Sequence, residues 1–165
     1  MQNKDHQYKK ISFLTPFGWT VIEAENDFMT RLYVSELKFQ NESIFLKEAV
    51  KELSLYFEGK LTKFSIPLSP KGTELQKQIW SKMKNIPYGM SLSYKEFGEK
   101  YNLHPRTVGM ACSHNPIPLL IPCHRIVHHQ SKISQYSFGE GPRTKKYLLD
   151  LEKSNLQADF KEHYF

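Results

Sequence analysis

The sequence predicts an α/β (α+β) chain, with a small antiparallel sheet and one helix in front of a mostly helical unit that carries a helix-turn-helix. Three observations predict it. Short β-branched and aromatic runs separated by turn residues occupy Lys10 to Leu37. Apolar residues at helical spacing then run from Glu42 to Glu58. Beyond a Ser69-Pro70-Lys71-Gly72 linker, capping-box patterns open helices at Thr73 and Ser93. The chain has 165 residues, 39% of them hydrophobic, enough for one compact core or two very small ones. We divide it into residues 1–70, a sheet-and-helix support; 71–155, the helical unit; and 156–165, a tail.

In the front unit, Ile11–Leu14, Trp19–Ala24 and Met29–Val34 read as three antiparallel strands, the first two joined by a Thr15-Pro16-Phe17-Gly18 turn. Ile44, Phe45, Ala49, Val50, Leu53, Tyr56 and Phe57 form the apolar side of the helix, and Gly59 stops it. Phe64–Leu68 reads as a further short strand.

In the helical unit, Thr73 caps a helix to about Lys84 whose buried stripe is Leu75, Ile79, Trp80 and Met83. Pro87-Tyr88-Gly89 ends it. Ser93, with Glu96 three residues on, caps a second helix through Tyr94, Phe97 and Tyr101. Asn102-Leu103-His104 is a turn, and Pro105 sits in the first turn of a third helix ending near Ser113, which completes a helix-turn-helix pattern. A last helix runs from Pro142 to Lys153 with Tyr147, Leu148 and Leu151 on its apolar face.

A formal net charge of +6 makes a polyanionic partner such as nucleic acid plausible. Two cysteines, Cys112 and Cys123, with no apolar secretion segment, suggest a reducing, cytoplasmic setting, or a nuclear one in a eukaryote. No stretch is apolar for long enough to span a bilayer, so no membrane partner is expected.

Chemistry concentrates in Asn115-Pro116-Ile117-Pro118-Leu119-Leu120-Ile121-Pro122-Cys123-His124-Arg125-Ile126-Val127. A thiol becomes a nucleophile as its thiolate, and His124 and Arg125 beside Cys123 could favour that form. Leu119-Leu120-Ile121 would hold the thiol deep. Cysteine is also a common small core residue, and that bland reading stands beside the reactive one. Cys123, His124, His128 and His129 could in principle hold a metal, but their spacing matches no zinc pattern and neither metal nor cofactor is expected. On the third helix, Arg106 stands among small side chains that would let a phosphate chain approach.

The Asn-Pro, apolar run and Pro-Cys-His-Arg of this stretch resemble the active-site motif of the O6-alkylguanine-DNA alkyltransferases, the methylated-DNA–protein-cysteine methyltransferase family. The similarity extends from about Thr73 to Glu152. It implies a ribonuclease-H-like front domain, a winged-helix-like second domain, and single-turnover transfer of an alkyl group from O6-methylguanine in double-stranded DNA to Cys123. O4-methylthymine is a further candidate substrate, and a monomer working from the minor groove is implied. The damaged base must leave the helix stack to reach a buried thiol.

The resemblance also implies residue roles. Arg106, in Arg106-Thr107-Val108-Gly109, fills the gap left by the extruded base, and Thr107, Gly109 and Ala111 complete the DNA-binding helix. Tyr94 crowds a phosphate and bonds guanine N3. Asn115 braces the turn before the nucleophile. His124, oriented by Glu152 of Leu148-Leu149-Asp150-Leu151-Glu152, deprotonates Cys123 through a water. Tyr136 and Ser137 wall the base pocket together with Ile126, and Phe138 narrows it in favour of methyl over benzyl adducts. The segment between Tyr94 and Arg106 is short, implying a tight turn. Two competing readings are a lesion-binding protein without transfer, whose relatives lack the cysteine, and a plain helix-turn-helix regulator with Cys123 in its core.

Overall fold

The computed structural model describes residues 7–164, which fall into two compact units divided between Lys71 and Gly72. Among the described residues no helix is long and apolar enough to cross a membrane.

The first unit is a three-stranded antiparallel sheet, β1 (Tyr8–Thr15), β2 (Gly18–Glu25) and β3 (Phe28–Val34), in the order β1-β2-β3. Hairpin geometry pairs Thr15 with Gly18 and Glu25 with Phe28. Gly18 takes φ +105°, a region closed to most side chains, as the chain re-enters the sheet. Helix α1 (Ile44–Phe57) buries Leu46, Ala49, Leu53 and Tyr56, a single stripe at helical spacing. Ile44, read as part of that stripe, is instead exposed at the helix start.

Phe64–Leu68 is not a strand. Only Leu68 bridges to Met29, through Met29 N–H donating to Pro67 O at 2.9 Å and Ser69 N–H donating to Met29 O at 2.8 Å. Pro67 has no N–H to offer a ladder, and the Ser65 N–H is taken by the Glu52 carboxylate at 2.9 Å.

The second unit opens with α2 (Glu74–Met83), and α3 (Tyr94–Tyr101) follows. Both begin with complete capping boxes, Thr73 with Gln76 and Ser93 with Glu96, which satisfy N–H groups that the first helical turn leaves orphaned. Leu75, predicted to be buried, is half exposed, and the buried stripe of α2 begins at Ile79 and Trp80. Helix α4 (Pro105–Ser113) follows a tight turn in which Asn102 adopts the left-handed conformation, φ 55°. The turn closes because residue 98 is glycine: a Cβ there would lie 2.4 Å from the Leu103 carbonyl oxygen. The Trp80 indole donates to Ala111 O at 2.8 Å and ties α2 to α4.

Two short strands, β4 (Leu92–Ser93) and β5 (Ile126–Val127), pair in parallel and bring the start of α3 beside the segment that follows Cys123. Helix α5 runs from Pro142 to Tyr164, so the predicted tail over 156–162 continues the helix in regular conformation. Leu156 on this continuation reaches Gly89, whose φ of +75° and whose 2.1 Å clearance from a built Cβ to Leu156 leave no room for a side chain.

Candidate active site

Cys123 begins a short 3-10 turn, Cys123–Arg125, reached through the buried run Leu119-Leu120-Ile121. Asn115 braces this segment from the inside. Its Oδ1 accepts from Ile117 N–H at 3.0 Å, while its Nδ2 donates to Ile121 O at 2.8 Å and to Cys123 Sγ at 3.1 Å. An amide donor on sulfur favours the thiolate. Burial outweighs it and pushes the Cys123 thiol above its usual range, so at rest the sulfur holds its proton and needs a base. The expectation that His124 and Arg125 could favour the thiolate meets this opposing effect of burial.

His124 is the next residue of the turn. Its Nε2 lies 2.7 Å from Glu152 Oε1, both side chains fully buried. Glu152 also accepts from Arg125 Nε at 3.0 Å, Arg125 Nη2 at 2.9 Å and Gly89 N–H at 3.0 Å. Although burial opposes ionisation, these donors hold its carboxyl far below the usual carboxylate range. An ionised carboxylate only accepts, so the His124 proton sits on Nε2 and Nδ1 carries the lone pair. Burial lowers the His124 pKa against the pull of Glu152, keeping the ring neutral with the Nδ1 lone pair open. Nδ1 has no hydrogen-bond partner among the described residues.

Arg125 does not serve the thiolate. It is turned onto Glu152 and donates through Nη1 to Ile86 O at 2.8 Å, which pins the loop before Gly89 to the active-site turn. The cation whose charge lowers the Cys123 pKa is Lys145 on α5, which is fully buried. Sequence reasoning missed it, although Lys145 shares a helical face with Leu148, Leu149 and Glu152, a spacing that marks the inward side.

Cys123 opens onto a cavity of about 200 Å³ lined by Tyr94, Gly109, Cys112, Ser113, Gln135, Tyr136 and Ser137. That is below the range of about 300–1,000 Å³ typical of drug-sized ligands and suits a small planar group. Tyr94 and Gly109 bring the helix-turn-helix to one side of it, and Tyr136 and Ser137 form another. Tyr94 is half-buried, and burial pushes its phenol up to about 12. Its hydroxyl is 3.0 Å from Ser134 Oγ. The Tyr136 hydroxyl is buried and has no partner among the described residues.

Several predicted residues stand elsewhere. Phe138 and Ile126 are buried but do not line the cavity; Phe138 lies edge-on against Tyr136, which does, with ring centroids 6.4 Å apart. Ala111 is 1% exposed and faces the core, where it cannot meet a groove of DNA. Arg106 is exposed at the start of α4, Thr107 is half-buried, and the Arg106 N–H donates to His104 Nδ1 at 3.1 Å. Cys112, Ser113 and Gln135 are cavity residues the sequence did not reveal. Among the described residues no three His, Cys, Asp or Glu side chains gather into a metal-holding group.

A deep cysteine with a carboxylate-braced histidine, opening on a base-sized cavity beside a helix-turn-helix, defines a DNA-directed protein with a thiol nucleophile. Comparisons with known proteins agree. Residues 74–154 match the DNA-binding domain of 6-O-methylguanine DNA methyltransferase, and residues 23–70 match its ribonuclease-like domain. The methylated-DNA–protein-cysteine methyltransferase of Methanosarcina barkeri is 40% identical over 115 residues, covering 68% of this chain and 72% of the relative. The constitutive enzyme of Bacillus subtilis is 36% identical over 152 residues, covering 84% and 92%. Mycobacterium tuberculosis OGT in complex with DNA superposes with a TM-score of 0.77 at 32% identity, covering 88% of this chain and 93% of that one. The chain belongs to the methylated-DNA–protein-cysteine methyltransferase family.

Proposed function

We propose that this protein repairs DNA by moving the alkyl group of O6-methylguanine onto Cys123, once per molecule, after the damaged nucleotide has turned out of the duplex into the cavity. The observation that carries the reading is the sulfur itself: Cys123 Sγ lines the cavity, is held at 3.1 Å by Asn115, and is followed by a histidine braced on Glu152.

His124 Nδ1 takes the Cys123 proton through an intervening water, and Glu152 stabilises the imidazolium that forms. The thiolate attacks the O6-bound carbon in line, the C–O bond breaks, and the electron pair leaves with the guanine. Tyr94 donates to guanine N3, and Tyr136 and Ser137 hold the base. The product is a thioether, which no neighbouring side chain can cleave, so the protein is consumed. Helix α4 enters the minor groove as a monomer, with Arg106 filling the space the base vacates. This offsets part of an extrusion cost of a few kcal/mol. The reaction draws on no cofactor or metal.

Replacing Cys123 with serine tests the assignment. The variant should bind O6-methylguanine duplex and restore no guanine. Repair by that variant would refute the role given to the sulfur. Arg106→Ala should weaken capture of the lesion in duplex far more than reaction with the free methylated base; an equal loss in both would remove the extrusion role.

A further inference from the structure

Lys145 and Ser134 are buried at 0% and 5% exposure, and the steps above leave both without a chemical role. They form a chain with Tyr94. Lys145 Nζ lies 2.5 Å from Ser134 Oγ, Ser134 Oγ lies 3.0 Å from the Tyr94 hydroxyl, and the ammonium sits 5.8 Å from the centre of the Tyr94 ring. Donor rules then set the direction of every bond in the protonated chain. An ammonium can only donate, so Ser134 Oγ accepts from Lys145. The single serine proton is left to donate to the Tyr94 oxygen. Having accepted there, Tyr94 keeps its own proton free to turn toward the cavity it lines.

We infer that Ser134 is a positioning residue that hands a proton from Lys145 to Tyr94 as Tyr94 protonates the departing guanine at N3. The inference rests on the reading of Tyr94 as the N3 donor. Alkyl transfer turns the Cys123 thiolate into a neutral thioether and leaves one negative charge on the guanine. The Tyr94 proton moves to N3, the Ser134 proton moves to the Tyr94 oxygen, and a Lys145 proton moves to Ser134. Tyr94 and Ser134 end as they began, guanine leaves neutral, and Lys145 becomes a neutral amine. The arrangement matches the charges the pocket must hold at each stage. Once His124 has taken the Cys123 proton, the buried ammonium offsets the charge of the buried thiolate; after transfer the sulfur and the lysine are both neutral, and the proton taken from Cys123 stays on His124 against the Glu152 carboxylate. Burial lowers the Lys145 pKa, and negative charge on the neighbouring sulfurs raises it; burial keeps Cys112 a thiol, so the sulfur that supplies such a charge during the reaction is Cys123. Alkylating Cys123 removes that charge, so the lysine gives up its proton more readily once the sulfur has reacted.

The test compares single-turnover transfer from duplexes carrying O6-methylguanine or O6-methyl-3-deazaguanine, in which a C–H replaces N3 and accepts no proton. Wild-type protein should react faster with the first. Ser134→Ala should slow transfer from O6-methylguanine by about 10²-fold, the lower range for loss of a general acid, and leave the 3-deaza rate unchanged. Ser134→Thr, which keeps the hydroxyl, should recover most of the rate. Alkylation of Cys123 by iodoacetamide should be the same in Ser134→Ala as in wild type and slower in Lys145→Met, because of these two side chains only the lysine carries a charge that favours the thiolate. Equal slowing of both duplexes by Ser134→Ala, or no slowing of either, would overturn the relay. If wild type itself does not distinguish the two bases, the N3 role of Tyr94 fails and the relay falls with it, a result separable from failure at Ser134 alone.

Discussion

At Cys123, burial and nucleophilicity pull in opposite directions. The low-dielectric surroundings that enclose a base also raise the thiol pKa, and the site answers with Asn115 at 3.1 Å, the Lys145 charge and the His124–Glu152 pair. Asn115→Ala should slow alkylation of Cys123. It also strands the Ile117 N–H and leaves Ile121 O with the Cys123 N–H alone of its two donors, with an unfolding penalty of about 1–3 kcal/mol measurable by denaturant titration. Glu152→Gln leaves Arg125 buried opposite a neutral amide and should cost about 3–5 kcal/mol. The pH dependence has a definite sign. Glu152 is held below its usual range and His124 is also lowered, so the unfolded chain binds more protons than the folded one in acid. Stability should be at its plateau above about pH 6.5. It should fall first as the unfolded histidine protonates, and again below about pH 4 as carboxyls of the unfolded chain protonate. Denaturant titrations across pH should show the lower limb flattened in Glu152→Gln; an unchanged limb would mean that other carboxylates carry it.

At the scale of elements, the helix-turn-helix depends on local chemistry that a linear sequence displays. Ser93 with Glu96 and Thr73 with Gln76 were legible because the two partners of a capping box stand only three positions apart. The α3–α4 turn depends on Gly98, and Gly98→Ala must push the Leu103 carbonyl away from a 2.4 Å clash. That variant should lose about 1–3 kcal/mol and bind duplex DNA more weakly, as read by denaturation and by a binding isotherm. Other elements left no such trace. Strands β4 and β5 have two residues each, too few for alternation to register, yet their pairing brings Tyr94 to the active-site segment. The continuation of α5 past Lys153 carries no glycine or proline to stop it, and Leu156 and Phe160 continue the spacing set by Glu152.

At the scale of the molecule, the motif residues Cys123, His124, Asn115 and Glu152 were found from resemblance, while the contacts that make them work join distant parts of the chain. Arg125 reaches Glu152 across 27 residues and Ile86 across 39, so its turn away from the thiol has no local signal. Lys145 reads as one more helix-surface cation in a basic chain until its neighbours on the helix face are counted. The front unit's sheet and helix were legible from alternation and helical period, and its misreadings fell at Ile44 and Phe64–Leu68, where an element's end rather than its middle was in question. A chain of net charge +6 suits a polyanionic duplex, and raised salt should weaken DNA association while leaving alkylation of Cys123 by a small electrophile unaffected. The most direct measurement mixes the protein with an excess of duplex carrying methyl-labelled O6-methylguanine and follows label by intact and peptide mass spectrometry. One methyl group per protein, confined to the peptide containing Cys123, is the expected result. More than one methyl removed per molecule, or label on a peptide lacking Cys123, would contradict it.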